Sequence, residues 1–285
     1  MTAGAERAPD ARPRVALLVT CLVDVFEPEA GMATVELLEA VGYEVVVPLA
    51  QTCCGQPAWN SGFSPDAARV ARTTLDALAA ELDAGVEAVV VPAGSCATMV
   101  RRSWPELFDL VGDTATAARA RAVAARTFEL TEWLAGHPLP ALATPEPQRV
   151  VWHHSCHLLR ELGVRDQPLD LLDVVDGCER AEWADSERCC GFGGLFSVKL
   201  PETSEAMADQ KLDSLADTGT DLVVGADSSC LVHLRTRAEA RGRPIRTSHI
   251  AELLAAALPP PIDAPAEAAG DTPRHEPPQR PGTPE

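Results

Sequence analysis

The chain has no apolar run approaching the roughly 18 to 20 uninterrupted residues that cross a bilayer, and its opening stretch MTAGAERAPDARPR has no apolar h-region of a secretory signal. Positive charge is scarce. Against 42 Asp and Glu stand 24 Lys and Arg, for a net charge of −18, which argues against nucleic acid or an anionic membrane surface as a partner. No Walker-type Gly-Lys-Ser/Thr, G-x-G-x-x-G, H-E-x-x-H, catalytic triad or carboxylate dyad emerges, so nucleotide-binding and hydrolytic signatures are missing. No C-x-x-C occurs either, which weighs against dithiol redox catalysis. These absences predict a cytoplasmic chain, touching a membrane at most peripherally through partners. In a reducing cytosol, paired cysteines more often serve metals or catalysis than structural disulfides.

What the sequence has is cysteine in a pattern. Cys53-Cys54-Gly55 and Cys189-Cys190-Gly191 are copies of one tripeptide, preceded by Cys21 and Cys156 and followed by Cys96 and Cys230. The offsets between the copies are 135, 136, 136 and 134 residues, so eight of nine cysteines fall into two sets of four. A length of 285 residues with 46% apolar side chains suits two such halves. The expected division is a disordered N-terminus over 1–13, a first half over 14–135, a linker over 136–148, a second half over 149–258 and a disordered Pro-rich tail over 259–285.

Short β-branched runs alternate with helical patterns, which predicts an α/β fold: two pseudo-repeated halves, each with a small parallel sheet flanked by helices. In the first half strands are expected at 15–20, 44–48 and 88–93, with helices near 32–42, 65–84, 115–125 and 127–135. In the second, strands are expected at 150–154, 180–183, 221–226 and 244–248, with helices near 157–163, 202–217 and 251–258. Cys21, Cys96, Cys156 and Cys230 then fall just past the carboxyl ends of parallel strands, where open α/β sheets place ligands. The doublets fall in loops, where Gly55 and Gly191 permit a tight turn. Each half is thus expected to assemble its own four-cysteine pocket.

Four thiolates per set is the ligand number of an iron–sulfur or zinc centre. Zinc sites usually show two C-x2-4-C knuckles, and adjacent ligands with long spacers look unlike them, so iron is favoured. Cys178 stands outside the repeat and reads as a buried structural thiol. His153, His154 and His157 crowd Cys156, and His233 follows Cys230; each reads as a neighbour of the site or a surface residue, and each could ligate metal or hydrogen-bond a cluster sulfur. The glycine run at 191–194 reads as a loop bringing backbone N–H groups to sulfur, with Trp59 and Phe192 shielding the sites from water. Asp24, Glu27, Arg160 and Glu161 read as solvated surface charge.

The two Cys…Cys-Cys-Gly…Cys blocks resemble the CCG cysteine-rich family, which includes the cysteine-rich subunit of heterodisulfide reductase and the iron–sulfur subunits of glycolate oxidase and of anaerobic glycerol-3-phosphate dehydrogenase. Thr20-Cys21-Leu22-Val23-Asp24, Cys53-Cys54-Gly55-Gln56-Pro57, His154-Ser155-Cys156-His157 and Cys189-Cys190-Gly191-Phe192-Gly193-Gly194 are most similar to its lactate-utilisation branch. That resemblance implies a subunit that does not itself bind substrate, in a three-protein system oxidising L-lactate to pyruvate. Its partners would be two other lactate-utilisation subunits, one ferredoxin-like. It also implies one or two iron–sulfur clusters of the four-iron type, held by Cys21, Cys53, Cys54 and Cys96 and by Cys156, Cys189, Cys190 and Cys230, with His233 a further candidate metal ligand. In the heterodisulfide reductase relative each block ends in Cys-x-x-Cys and five cysteines hold a non-cubane cluster, whereas here Met99 and His233 stand at the final positions. A non-cubane cluster, an ordinary cubane and a labile centre all remain compatible with this pattern. The alternatives are another oxidoreductase acting on glycolate, glycerol 3-phosphate or a heterodisulfide, and a zinc-stabilised scaffold.

Overall fold

The computed structural model describes residues 12–260, so nearly all of the two expected disordered tails lies outside the described residues. Eight strands form two parallel sheets. In the first, β1 (Arg14–Leu17), β2 (Glu44–Val46), β3 (Ala88–Val91) and β4 (Thr127–Glu129) lie in the order β2-β1-β3-β4. In the second, β5 (Ala143–His153), β6 (Asp176–Arg180), β7 (Leu222–Gly225) and β8 (Arg246–His249) repeat that order as β6-β5-β7-β8. The expected pair of duplicated α/β halves is the observed architecture.

The central strands follow from their residues. Val89-Val90-Val91 and Val150-Val151-Trp152 are buried on both faces, the uninterrupted apolar pattern of parallel strands covered by helices. Helices Pro28–Ala40 and Ser64–Asp83 flank the first sheet, and Pro201–Leu215 and Ser228–Ala240 flank the second. Proline opens two of these four at a position whose N–H has no intrahelical partner to lose. Along Ser64–Asp83 the buried Ala67, Ala71, Leu75 and Leu78 recur at helical spacing and face the sheet.

Several elements depart from expectation. Thr127-Phe128-Glu129, read as the start of a helix, instead pairs with Val89-Val90-Val91 as the edge strand β4, because a β-branched and an aromatic residue meet an open sheet edge there. The helix begins at Leu130, capped by the Glu129 carboxylate, which accepts from the Thr131 N–H at 2.8 Å. The strand placed at 180–183 lies earlier, at Asp176–Arg180, and takes Cys178 into its interior. The stretch 143–148, assigned to the linker, already forms the start of β5, with a register shift between Ala143 and Gln148. Short helices that the periodicity did not predict carry cysteines: Cys21–Phe26 opens with one and Gly94–Thr98 contains another.

The halves share a core. Val15, Leu37, Leu38 and Tyr43 of the first cluster with Trp152, Leu172, Ile250 and Leu254 of the second, while each half keeps a further cluster of its own around Trp104 or Trp183. Polar contacts also cross between halves. The Gly94 N–H donates to the Ala226 carbonyl at 3.2 Å, and the buried Glu27 carboxylate pairs with Arg235 at 3.0 Å. Glu27 is therefore not a solvated surface charge, since the second half covers it.

Candidate metal centre

In both sheets the strand order changes direction between the two central strands, β1 and β3 or β5 and β7, and the crevice outside their carboxyl ends is where such sheets receive ligands. Cys21 and Cys96 follow β1 and β3; Cys156 and Cys230 follow β5 and β7. The halves face each other so that both crevices open on one space. A single cavity of about 210 Å³ is lined by all eight repeat cysteines together with Gln56, Ser95, His157, Phe192, Asp227 and Ser228. The structure thus replaces the two separate pockets expected from the sequence with one shared cavity, whose walls each half supplies in part.

Both sets show the same burial pattern. Cys54, Cys96, Cys190 and Cys230 are buried, and Cys21, Cys53, Cys156 and Cys189 are half-buried. No cysteine is in a disulfide. Sγ of Cys21 lies 3.8 Å from Sγ of Cys53, and Sγ of Cys54 lies 3.3 Å from Sγ of Cys96, contacts well beyond the S–S bond of about 2.05 Å.

Local backbone geometry aims these thiols. Gly55 and Gly191 hold φ of 89° and 91°, and their N–H groups point back to Cys53 and Cys189 Sγ at 3.4 Å in each case. A side chain at either position would collide with a carbonyl, that of Ala67 at 2.8 Å or Ser204 at 2.4 Å. Thr20, immediately before Cys21, is the one non-glycine with positive φ among the described residues (68°), a strained conformation of the kind that clusters at functional sites.

The thiols are electrostatically unequal. Hydrogen bonds from Cys21 and Cys54, aided by the Gly55 N–H, outweigh burial and pull the Cys53 thiol down to about 3. Cys156, Cys190 and Gly191 do the same for Cys189, down to about 2. Cys21 and Cys156 are pushed up, because each donates to the doublet's first sulfur and is desolvated; Cys54 and Cys190 rise for the same reasons. The first cysteine of each doublet is thus drawn towards the thiolate, while the cysteine after it and the one following β1 or β5 are drawn away from it.

Around the sulfurs the halves differ. The Trp104 indole N–H donates to the Cys54 carbonyl at 2.8 Å and holds the first doublet. In the second half Lys211, buried and lying 4.0 Å over the Trp183 ring, donates to the carbonyls of Asp185 and Ser186, with 3.0 Å to the latter. Burial pushes its ammonium down to about 8, while the sulfurs of Cys190 and Cys230 oppose the shift. Asp227 joins the halves at the cavity, accepting from the Ser95 N–H at 2.8 Å and the Ser229 hydroxyl at 2.5 Å.

The histidines separate by their partners. His154 Nδ1 accepts from the Trp152 indole at 3.1 Å, His157 Nε2 lies 3.3 Å from Gln56 Nε2, and His233 Nε2 lies 3.2 Å from the Ser204 hydroxyl. His233 packs edge-on to Phe192 and does not line the cavity. His153 is 1% exposed and neither ring nitrogen has a hydrogen-bond partner. Burial and the Lys211 charge push its pKa well down; the Ser186 carbonyl opposes this from nearby without reaching hydrogen-bond geometry. Cys178 is half-buried against the shared core and away from the cavity. Sequence reasoning missed Trp104, Lys211 and Asp227. Only Asp227 left a trace, as the substitute for Ala93 beside otherwise matching Ser-Cys positions.

Eight convergent soft thiols, half of them buried, define a duplicated α/β protein built to hold a thiophilic metal centre. The CCG cysteine-rich domain model matches residues 15–101 and again 150–235, and the chain belongs to that family. Within it, the chain is 43% identical over 243 residues to "Lactate utilization protein A" of Exiguobacterium, covering 85% of this chain and 97% of that protein. The protein of the same name from Geobacillus kaustophilus is 44% identical over 242 residues, 85% of this chain and 98% of its own. Among solved structures, a hypothetical protein from Helicobacter pylori shares the fold with a TM-score of 0.58 at 12% identity, over 88% of this chain and 49% of that one. No helix among the described residues is long and apolar enough to cross a membrane.

Proposed function

We propose that this chain is the iron–sulfur electron-transfer subunit of a multi-protein system that oxidises L-lactate to pyruvate. The carrying observation is the convergence of all eight repeat cysteines on one cavity in a chain over 40% identical to lactate utilization proteins along most of its length. In this reading Cys21, Cys53, Cys54 and Cys96 hold one centre and Cys156, Cys189, Cys190 and Cys230 the other. Bound iron–sulfur would supply one-electron carriers.

The chain's own residues bind and shield. Cys53 and Cys189 enter as ready thiolates, and the Gly55 and Gly191 N–H groups give hydrogen bonds to sulfur that stabilise a more negative state. Trp104 fixes the first doublet's backbone, and Phe192 contributes an aromatic ring to the cavity wall. Lactate chemistry itself falls to a partner subunit in this reading, and among the described residues the wall of the eight-cysteine cavity carries no arginine or lysine to bind a carboxylate.

Anaerobic purification followed by iron, sulfide and zinc analysis tests the reading, together with growth on lactate of cells carrying C53A or C189A. Iron with acid-labile sulfide, and loss of growth in both variants, are the expected results. Stoichiometric zinc without iron, or normal growth of both variants, would overturn it.

A further inference from the structure

We infer that His153 donates a ring nitrogen to the metal held by the second-half cysteines, so that the second centre is a mixed sulfur–nitrogen site and the first is all sulfur. This rests on the proposed iron–sulfur reading and goes beyond it, because the cysteine repeat alone makes the halves equivalent.

Three observations carry the inference. First, a ring nitrogen of His153 and the sulfurs of Cys190 and Cys230 lie within 4.8 Å of one another, the only such ligand group of histidine, cysteine or acid among the described residues. Second, both nitrogens of this 1%-exposed ring are without hydrogen-bond partners, so the lone pair of its unprotonated nitrogen is uncommitted and a metal would give it a partner. Third, His154, His157 and His233 lie near the second set but none joins cysteine sulfurs in such a ligand group. His233, the candidate by sequence position, therefore yields to His153.

The first half has no counterpart. The residue at the matching place, 135 positions earlier, is Leu18, fully buried in the core with no donor to offer. The second set thus keeps the same four thiolates and adds a neutral imidazole, and exchanging that imidazole for a further thiolate would make the centre more negative and lower its reduction potential.

The test uses the full chain, reconstituted anaerobically with iron and sulfide, with its histidines labelled with 15N and the clusters reduced by dithionite. Pulsed EPR should show a directly coupled histidine nitrogen that changes with the isotope, a readout needing no variant to fold. H153L should abolish that coupling and H233L should keep it. H153C, which restores a sulfur donor, should retain second-half iron without nitrogen coupling and lower the potential of one signal while leaving the other unchanged. Iron-loaded protein with no coupled histidine nitrogen, or coupling that survives in H153L, overturns the inference and leaves the iron–sulfur reading standing. Protein that binds no iron and sulfide overturns both.

Discussion

Gly191→Ala probes the geometry that aims the second doublet. At φ of 91° the backbone sits in the left-handed region, which costs a residue with a Cβ about 1–2 kcal/mol. The added methyl would also meet the Ser204 carbonyl oxygen at 2.4 Å and the Met207 Cβ at 3.1 Å. The obstacle cannot swing aside, because it is backbone of helix Pro201–Leu215, whose Ser204 hydroxyl donates back to the Gly191 carbonyl at 2.8 Å. Overpacking of this kind costs about 1–3 kcal/mol. The combined destabilisation is roughly 2–5 kcal/mol, which for a domain of this size lowers Tm on the order of 10 °C.

Gly219→Ala separates the two contributions. Gly219 has φ of 72° and nothing within 4 Å of an added Cβ, so it carries the conformational cost alone. Thermal unfolding of the two variants beside the unsubstituted chain should place G191A well below G219A. Because the Gly191 N–H points at Cys189 Sγ, G191A should also lose iron from one half while G219A keeps it. Equal Tm values for the two variants would refute the close-approach argument.

Two further outcomes follow from buried polar groups. Trp104→Phe deletes the indole N–H that reaches the Cys54 carbonyl at 2.8 Å, leaving a buried acceptor short of its donor; urea denaturation should show a loss of about 2 kcal/mol, and an unchanged midpoint would remove Trp104 from its supporting role. Burial holds the fully buried Glu129 carboxyl up at about 7 against the hydrogen bonds from Thr131 and Glu132. Between the ordinary 4.5 and about 7 the folded state then binds more protons than the unfolded one, so stability falls as pH rises through that window, by roughly 3 kcal/mol in total. Glu129→Gln should flatten this slope, and equal pH dependence of the two proteins, measured by denaturation at pH 5 and 7.5, would contradict it.

What was legible in the sequence is what periodicity and spacing encode. Val89-Val90-Val91 and Val150-Val151-Trp152 announce buried parallel strands, and the offsets between Cys21 and Cys156 or Cys96 and Cys230 announce a duplication with cysteines at strand ends. The merging of two pockets into one was not legible, because it depends on how the halves meet. That meeting turns on contacts with no pattern along the chain. Gly94 approaches Leu158 so closely that an added Cβ would lie 2.7 Å from its Cβ, and Asp227 reaches across to the Ser95 N–H. The edge strand β4 was missed for a similar reason: three residues carry no period of their own, and the neighbouring β3 decides their conformation.

The duplication is also where the halves part company. Their doublets have the same turn, the same glycine φ and the same N–H to sulfur contact, yet the supports differ in charge and not only in shape. The first doublet is braced by a neutral indole, while the second lies beside the buried Lys211, which interacts with Cys156, Cys190 and Cys230. A cation in a desolvated site stabilises added negative charge more strongly than it would in water, since the interaction grows as the effective dielectric falls. Position 75, the first-half match of Lys211, is the buried Leu75, so the first set receives no such charge. Lys211 and His153 act by different physics, one through charge and the other through the inferred ligand identity, and neither has a match in the first half. Two like sets of four thiols are thus made unequal by the residues that surround them.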